Sequence, residues 1–256
     1  MAQGDLLINP KRVVFDGQKR SQEITLANIG KDTARYAVSF IQIRMKEDGN
    51  FEQITQPDSG QNFSDKYVRI FPRTVTLAPN EAQVVKVQLN QNYKLLSGEY
   101  RSHLYFRAVP NVNPLGESSL KADTAEVSIR LTAIFGISIP VIIRMGESTA
   151  GVTVSNLQIE TIPDLAPILK MRFNRTGNMS LYGDLTVEHI SDGGKITKAG
   201  LIKGISVYTP NLARNVKIEL DGKSGINYKE GTLRVIYSSS SDRKPEILAT
   251  SELSLK

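Results

Sequence analysis

Nearly every apolar segment of this 256-residue chain alternates with a period of two. Alternation at that period puts successive side chains on opposite faces of an extended strand, so it specifies half-buried sheets rather than amphipathic helices. Through residue 142 the pattern predicts strands at Arg12–Phe15, Gln22–Asn28, Tyr36–Ile43, Tyr67–Phe71, Ala82–Leu89, Tyr100–Ala108 and Val127–Val141. Turn-forming residues stand between them: Asp16-Gly17, Asn28-Ile29-Gly30, Asp48-Gly49-Asn50, Ala78-Pro79-Asn80 and Ser97-Gly98. Short strands joined by short turns predict an antiparallel β-sandwich of immunoglobulin-like size, here without the Cys…Trp…Cys signature of antibody domains.

The rest of the chain repeats the pattern. Strands are expected at Val152–Ile159, Ile168–Asn174, Tyr182–His189, Gly204–Tyr208, Asn215–Leu220, Thr232–Ser238 and Ile247–Leu255, separated by clusters such as Asp192-Gly193-Gly194 and Asp221-Gly222-Lys223. The fold class is therefore all-β, with two immunoglobulin-like β-sandwich domains. The N-terminal domain spans 1–142, a hinge follows at 143–148 where apolar residues give way to small polar ones, and the C-terminal domain spans 149–256.

Composition removes several classes of function. With no cysteine, a disulfide scaffold, a thiolate zinc site and a cysteine nucleophile are excluded. The two histidines, His103 and His189, are too few for a histidine-rich metal site. His189, alone on a strand, reads as a hydrogen-bonded strand residue. The sequence holds no nucleophile elbow, phosphate-binding loop or dinucleotide fingerprint, and singles out no carboxylate pair. No enzyme, cofactor, metal or small-molecule substrate is expected. The net charge of +6 divides evenly, with 17 basic and 14 acidic residues through 142 and 15 and 12 after it, so no basic domain points to nucleic acid. No apolar run approaches the ~20 residues of a spanning helix. Met1-Ala2-Gln3-Gly4-Asp5 lacks the features of a leader peptide, which fits a cytoplasmic protein or one whose leader was removed.

One stretch does not suit a plain sandwich. From Val127 to Val141 every odd position is apolar: Val127, Ile129, Leu131, Ala133, Phe135, Ile137, Ile139 and Val141. As one strand it would extend roughly 45–50 Å, two to three times the usual length. Such a strand either bends between sheets or offers an alternating edge that pairs with another chain.

The N-terminal motifs resemble those of PapD-like periplasmic pilus chaperones, with the divergence of an archaic or alternative branch. Lys11-Arg12-Val13-Val14-Phe15-Asp16-Gly17, Arg20-Ser21 and Leu26-Ala27-Asn28-Ile29-Gly30 resemble the family's first two strands. Val68-Arg69-Ile70-Phe71-Pro72-Arg73, followed by Leu77-Ala78-Pro79 and Gln83-Val84-Val85-Lys86-Val87, resembles its central region. Gly98–Pro110 resembles the strand before the donor strand. The resemblance covers most of 5–142, while the C-terminal domain matches loosely through the Asn174–Asn178 turn.

The resemblance implies a two-domain, boomerang-shaped chaperone without catalysis, working in the periplasm. Such chaperones cap pilin subunits that lack a strand by donor-strand complementation and deliver them to an outer-membrane usher. The donor residues would be Val127, Ile129, Leu131, Ala133, Phe135 and Ile137, each large one worth about 2 kcal/mol when buried. The family anchors the subunit's C-terminal carboxylate with two basic residues. Arg12 matches the first; Gly136-Ile137-Ser138 lacks the second, a lysine, so Arg101 and Arg107 are the candidates. They share a strand face with His103 and Tyr105. Arg144 is expected to make an interdomain ion pair, with Glu230 as the suggested acid. The loop from Pro110 to Ala125 is long enough to be functional. The alternative is a surface or adhesive protein of two immunoglobulin-like domains that self-associates through its edge strand. Self-association of the free chaperone is the related expectation.

Overall fold

The computed structural model describes residues 5–90, 95–110, 135–163, 165–222, 225–240 and 244–255. It is all-β. In chain order the strands are β1 (Leu6–Asn9), β2 (Val13–Phe15), β3 (Ser21–Asn28), β4 (Ala34–Met45), β5 (Phe51–Ile54), β6 (Val68–Phe71), β7 (Thr74–Leu77), β8 (Ala82–Leu89), β9 (Gly98–Val109) and β10 (Gly136–Met145). There follow β11 (Gly151–Glu160), β12 (Ile168–Thr176), β13 (Leu181–Ile190), β14 (Ile196–Val207), β15 (Ala213–Glu219), β16 (Gly231–Ser239) and β17 (Ile247–Leu255). The alternation marks the longer strands. It misses β1, β5 and β7, four residues each. It also starts β14 late, because Gly200 and Gly204 interrupt the apolar signal. Tyr67 belongs to a 3-10 turn rather than to the strand after it.

The chain forms two compact units, one of Met1–Gln42, Phe63–Leu95 and Tyr100–Ile143, the other of Ile43–Asn62, Leu96–Glu99 and Arg144–Lys256. The sequence suggested a single cut; the partition instead runs through β4, β9 and β10. One sheet has the order β1-β3-β8-β6. The second has the order β2-β10-β9-β4-β5, with β7 also on β4. The inward residues Val13, Phe15, Ile24, Leu26, Leu77, Val85, Val87, Leu104 and Phe106 are fully buried between them. Asn28 is buried with them. Its side-chain amide donates to Asp32 O (2.8 Å), Leu77 O (3.1 Å) and Ala78 O (3.2 Å), and its Oδ1 accepts from Gly30 N (2.9 Å). It satisfies two turns at once, so the cost of burying an amide is met.

The first strand of the chain changes sheet. β1 pairs antiparallel with β3, and after Pro10 the chain crosses to pair, as β2, in parallel with β10. Pro10 has no N–H to give a ladder, so pairing resumes only at Val13.

In the second unit β11-β12-β15 faces β14-β13-β16-β17. Phe173 and Tyr237 meet edge to face at 4.9 Å in its core, and the Tyr237 hydroxyl donates to Ile205 O at 2.9 Å. The hairpin at Ile43–Asn62 is built into this unit. Asn211 Nδ2 donates to Met45 O (2.6 Å), Asn215 N to Glu47 O (2.6 Å), and Phe51 packs on Tyr208 at 5.6 Å.

Candidate functional site

The site is built around the first half of β10. Val127, Ile129, Leu131 and Ala133, and the loop up to Ala125 beyond Pro110, lie outside the described residues. What can be placed is the end of the apolar row, and it divides in two. Ile139, Val141 and Ile143 are 4%, 0% and 1% exposed, while Ile137 and Phe135 are 38% and 56% exposed. All five lie on one face of one strand. The row therefore starts within the protein's own core and runs out past its end.

β10 is an interior strand along part of its length. It lies between β9 and β2. Its pairing with β2, however, covers only Val141–Ile143, matched to Val13–Phe15. Among the described residues, Gly136–Pro140 has a neighbour on the β9 side alone. On that side Ala108 N donates to Phe135 O at 3.0 Å, and at the far end Arg144 meets Glu99, so the two strands run antiparallel. Backbone groups alternate in direction along such a strand. Phe135 and Ile137 thus bond toward β9, and the N–H and C=O groups of Gly136 and Ser138 point to the open side.

This register fixes the cations. Arg107 stands level with Gly136, Tyr105 with Ser138, His103 with Pro140 and Arg101 with Ile142. Arg12, one residue before Val13, is level with Pro140 on the other side. All share the outer face, as the sequence expected for Arg101, Arg107, His103 and Tyr105. The structure separates them along the strand. Arg12, His103 and Arg101 gather at the end where β2 begins. Arg107 is four residues away along the strands, about 13 Å, and is exposed. Arg101 and His103 are 5% and 3% exposed. Burial, and then the charge of Arg101, push the His103 pKa down to about 3, so the imidazole is neutral. His103 was missed as a site residue because alternation reports the face of a strand and not what covers it.

Arg144 has a different acid from the one expected. Its Nε donates to Glu99 Oε2 at 3.2 Å and its Nη2 to Ser180 O at 2.8 Å. The Glu99 side chain has no exposure and also accepts from Ser180 N (3.0 Å) and Ser180 Oγ (2.6 Å). Glu230 instead accepts from Asn227 Nδ2 at 2.8 Å, and its backbone carbonyl is 2.9 Å from His189 Nε2. Arg144, Glu99 and Ser180 all belong to the second unit, so this ion pair lies inside a unit.

Among the described residues no group of three His, Asp or Glu side chains is placed to hold a metal ion, and no helix is long and apolar enough to cross a membrane. Among the described residues the arrangement offers an open strand edge, two exposed apolar side chains on one face and the pair Arg12 and Arg101 on the other.

No protein-family model matches the chain, and no curated protein does. Its fold resembles solved structures of chaperones along nearly its whole length. The YadV chaperone is 12% identical over 98% of this chain and 100% of its own, with a TM-score of 0.48. The Pseudomonas aeruginosa CupB2 chaperone is 14% identical over 97% and 100%, with a TM-score of 0.46. A chain of the CsuC–CsuE chaperone–tip subunit pre-assembly complex, from archaic chaperone-usher Csu pili of Acinetobacter baumannii, is 10% identical over 98% and 99%, with a TM-score of 0.46.

Proposed function

We propose that this protein is a periplasmic, non-enzymatic chaperone that captures pilin subunits lacking a strand and delivers them to an outer-membrane usher. The observation that carries the reading is the divided row of β10: Ile139, Val141 and Ile143 complete the protein's own core, and Ile137 and Phe135 continue the same line into solvent beside an open edge. An incomplete sandwich has the complementary defects, an apolar groove and an unpaired strand. Pairing along Gly136–Pro140 would satisfy its backbone groups, and Phe135 and Ile137 would enter its groove, together with Val127, Ile129, Leu131 and Ala133 on the sequence expectation.

The position of Arg12 gives the captured strand a direction. A partner strand running parallel to β10 along the open edge ends where β2 begins, with its terminal carboxylate beside Arg12 and the buried Arg101. An antiparallel partner would bring an amine to the same cations. The charge selects the carboxylate and hence the parallel arrangement.

Co-expression with pilin-like subunits encoded nearby, followed by affinity capture, tests the reading. Phe135→Asp with Ile137→Asp alters two exposed side chains and should leave folding intact while abolishing the one-to-one complex. Recovery of the complex in full from that variant contradicts the reading. Assembly of the purified chain with itself in place of subunit capture would instead support the self-associating surface protein.

A further inference from the structure

We propose that Tyr105 sets the register in which a partner strand pairs with β10, by admitting only a small side chain level with Gly136. The inference rests on the strand-capture reading and makes it more specific.

Gly136 is not a glycine for the sake of its backbone. Gly98 and Gly146, at the ends of β9 and β10, have φ of 132° and 76°, in the region that favours glycine; Gly136 does not lie there. What occupies the place of a side chain at 136 is the phenol ring of Tyr105. A Cβ on Gly136 would fall within the envelope of Cε2, Cζ and the hydroxyl oxygen. Those are the outermost atoms of the ring. Tyr105 stems from β9, so its ring crosses diagonally onto β10 and ends above Gly136, on the strand whose far side has no neighbour among the described residues. A glycine inside a strand costs about 0.5–1 kcal/mol relative to alanine, and an aromatic ring laid over it from the neighbouring strand covers the bare backbone.

A strand pairing along the open edge would bring one of its own side chains level with Gly136 on this same face. Directly opposed Cβ atoms stand about 4.5–5.5 Å apart, which puts that side chain within reach of the hydroxyl end of Tyr105 over Gly136. Glycine, alanine or serine fits beneath or beside the ring, and a serine hydroxyl can bond the phenol. Leucine or phenylalanine must displace it. A slip of one residue turns the partner's apolar row away from Phe135 and Ile137, and a slip of two brings a different side chain to the ring. One aromatic group at the edge therefore distinguishes registers that the apolar row alone would accept.

Fluorescein-labelled synthetic peptides of about nine residues, the length of an ordinary strand, test this by fluorescence polarisation with the full chain. Their sequence alternates valine and threonine and ends in a free carboxylate, and leucine or glycine replaces each threonine in turn. We expect leucine to weaken binding about tenfold or more at one threonine position and little elsewhere. Tyr105→Ala should remove that penalty at that position alone, while Tyr105→Phe should keep it. A flat leucine profile in the parent protein, or a profile that Tyr105→Ala leaves unchanged, overturns the role of Tyr105 while leaving strand capture standing. Failure of every peptide to bind the folded parent overturns strand capture itself, and this inference with it.

Discussion

His103 and Glu99 lie on the same strand face, and both are buried ionisable groups. Glu99 accepts from Arg144 Nε and from the Ser180 amide and hydroxyl. His103 is kept neutral, with its pKa pushed down to about 3 by burial and then by Arg101. The unfolded chain, with an ordinary histidine pKa of about 6.5, binds a proton that the folded chain refuses. Stability from this group is therefore complete above about 6.5 and is lost as the pH falls toward about 3. Between about pH 7 and about pH 5 the loss is roughly 2 kcal/mol. Urea unfolding across that range should show it, and His103→Gln should reduce the fall by about that amount. An unchanged pH dependence in the variant would mean that the fold does not lower the pKa of His103. At this scale the sequence places the face correctly but not the cover. Alternation aligns Arg101, His103, Tyr105 and Arg107, and nothing local in the sequence tells that Arg101 and His103 are enclosed while Arg107 is in water. The acid that meets Arg144 was likewise out of reach, because Glu99 lies 45 residues away and is brought to it only by the β9–β10 pairing.

β10 holds two environments in ten residues, and the change comes between Ile139 and Ile137. The same substitution should therefore have different costs two positions apart. Ile139→Ala removes a buried side chain and should destabilise by about 2–4 kcal/mol, whereas Ile137→Ala should cost about 1 kcal/mol or less. Denaturant unfolding of the two variants checks this. Equal losses would place both residues in the protein's own core and leave little of the row for a partner. The apolar row itself was legible from its odd positions. Its interruption was not, because that depends on β2 pairing with β10 over Val141–Ile143 alone. Strands of seven residues or more were readable by period, apart from residues 196–203 of β14. The four-residue strands β1, β5 and β7 are defined by their partners in the sheet rather than by their own sequence.

At the level of the whole molecule, two all-β units follow from alternation and turn chemistry. The membership of Ile43–Asn62 in the second unit does not, since it rests on pairings such as Asn215 with Glu47 that are remote in sequence. The proposed chaperone function joins the residue and element scales. The cations at the head of β2 would receive a chain terminus, the open side of β10 would receive its strand, and Phe135 and Ile137 would fill the groove from which that strand's own neighbour is missing. Residue-resolved amide hydrogen exchange at Gly136 and Ser138, in the free protein and in a purified complex with a co-expressed subunit, tests this most directly. Both N–H groups point to the open side, so fast exchange in the free chain and strong protection in the complex are expected. Protection already present in the free monomer, or a stable complex in which both amides still exchange fast, would contradict it.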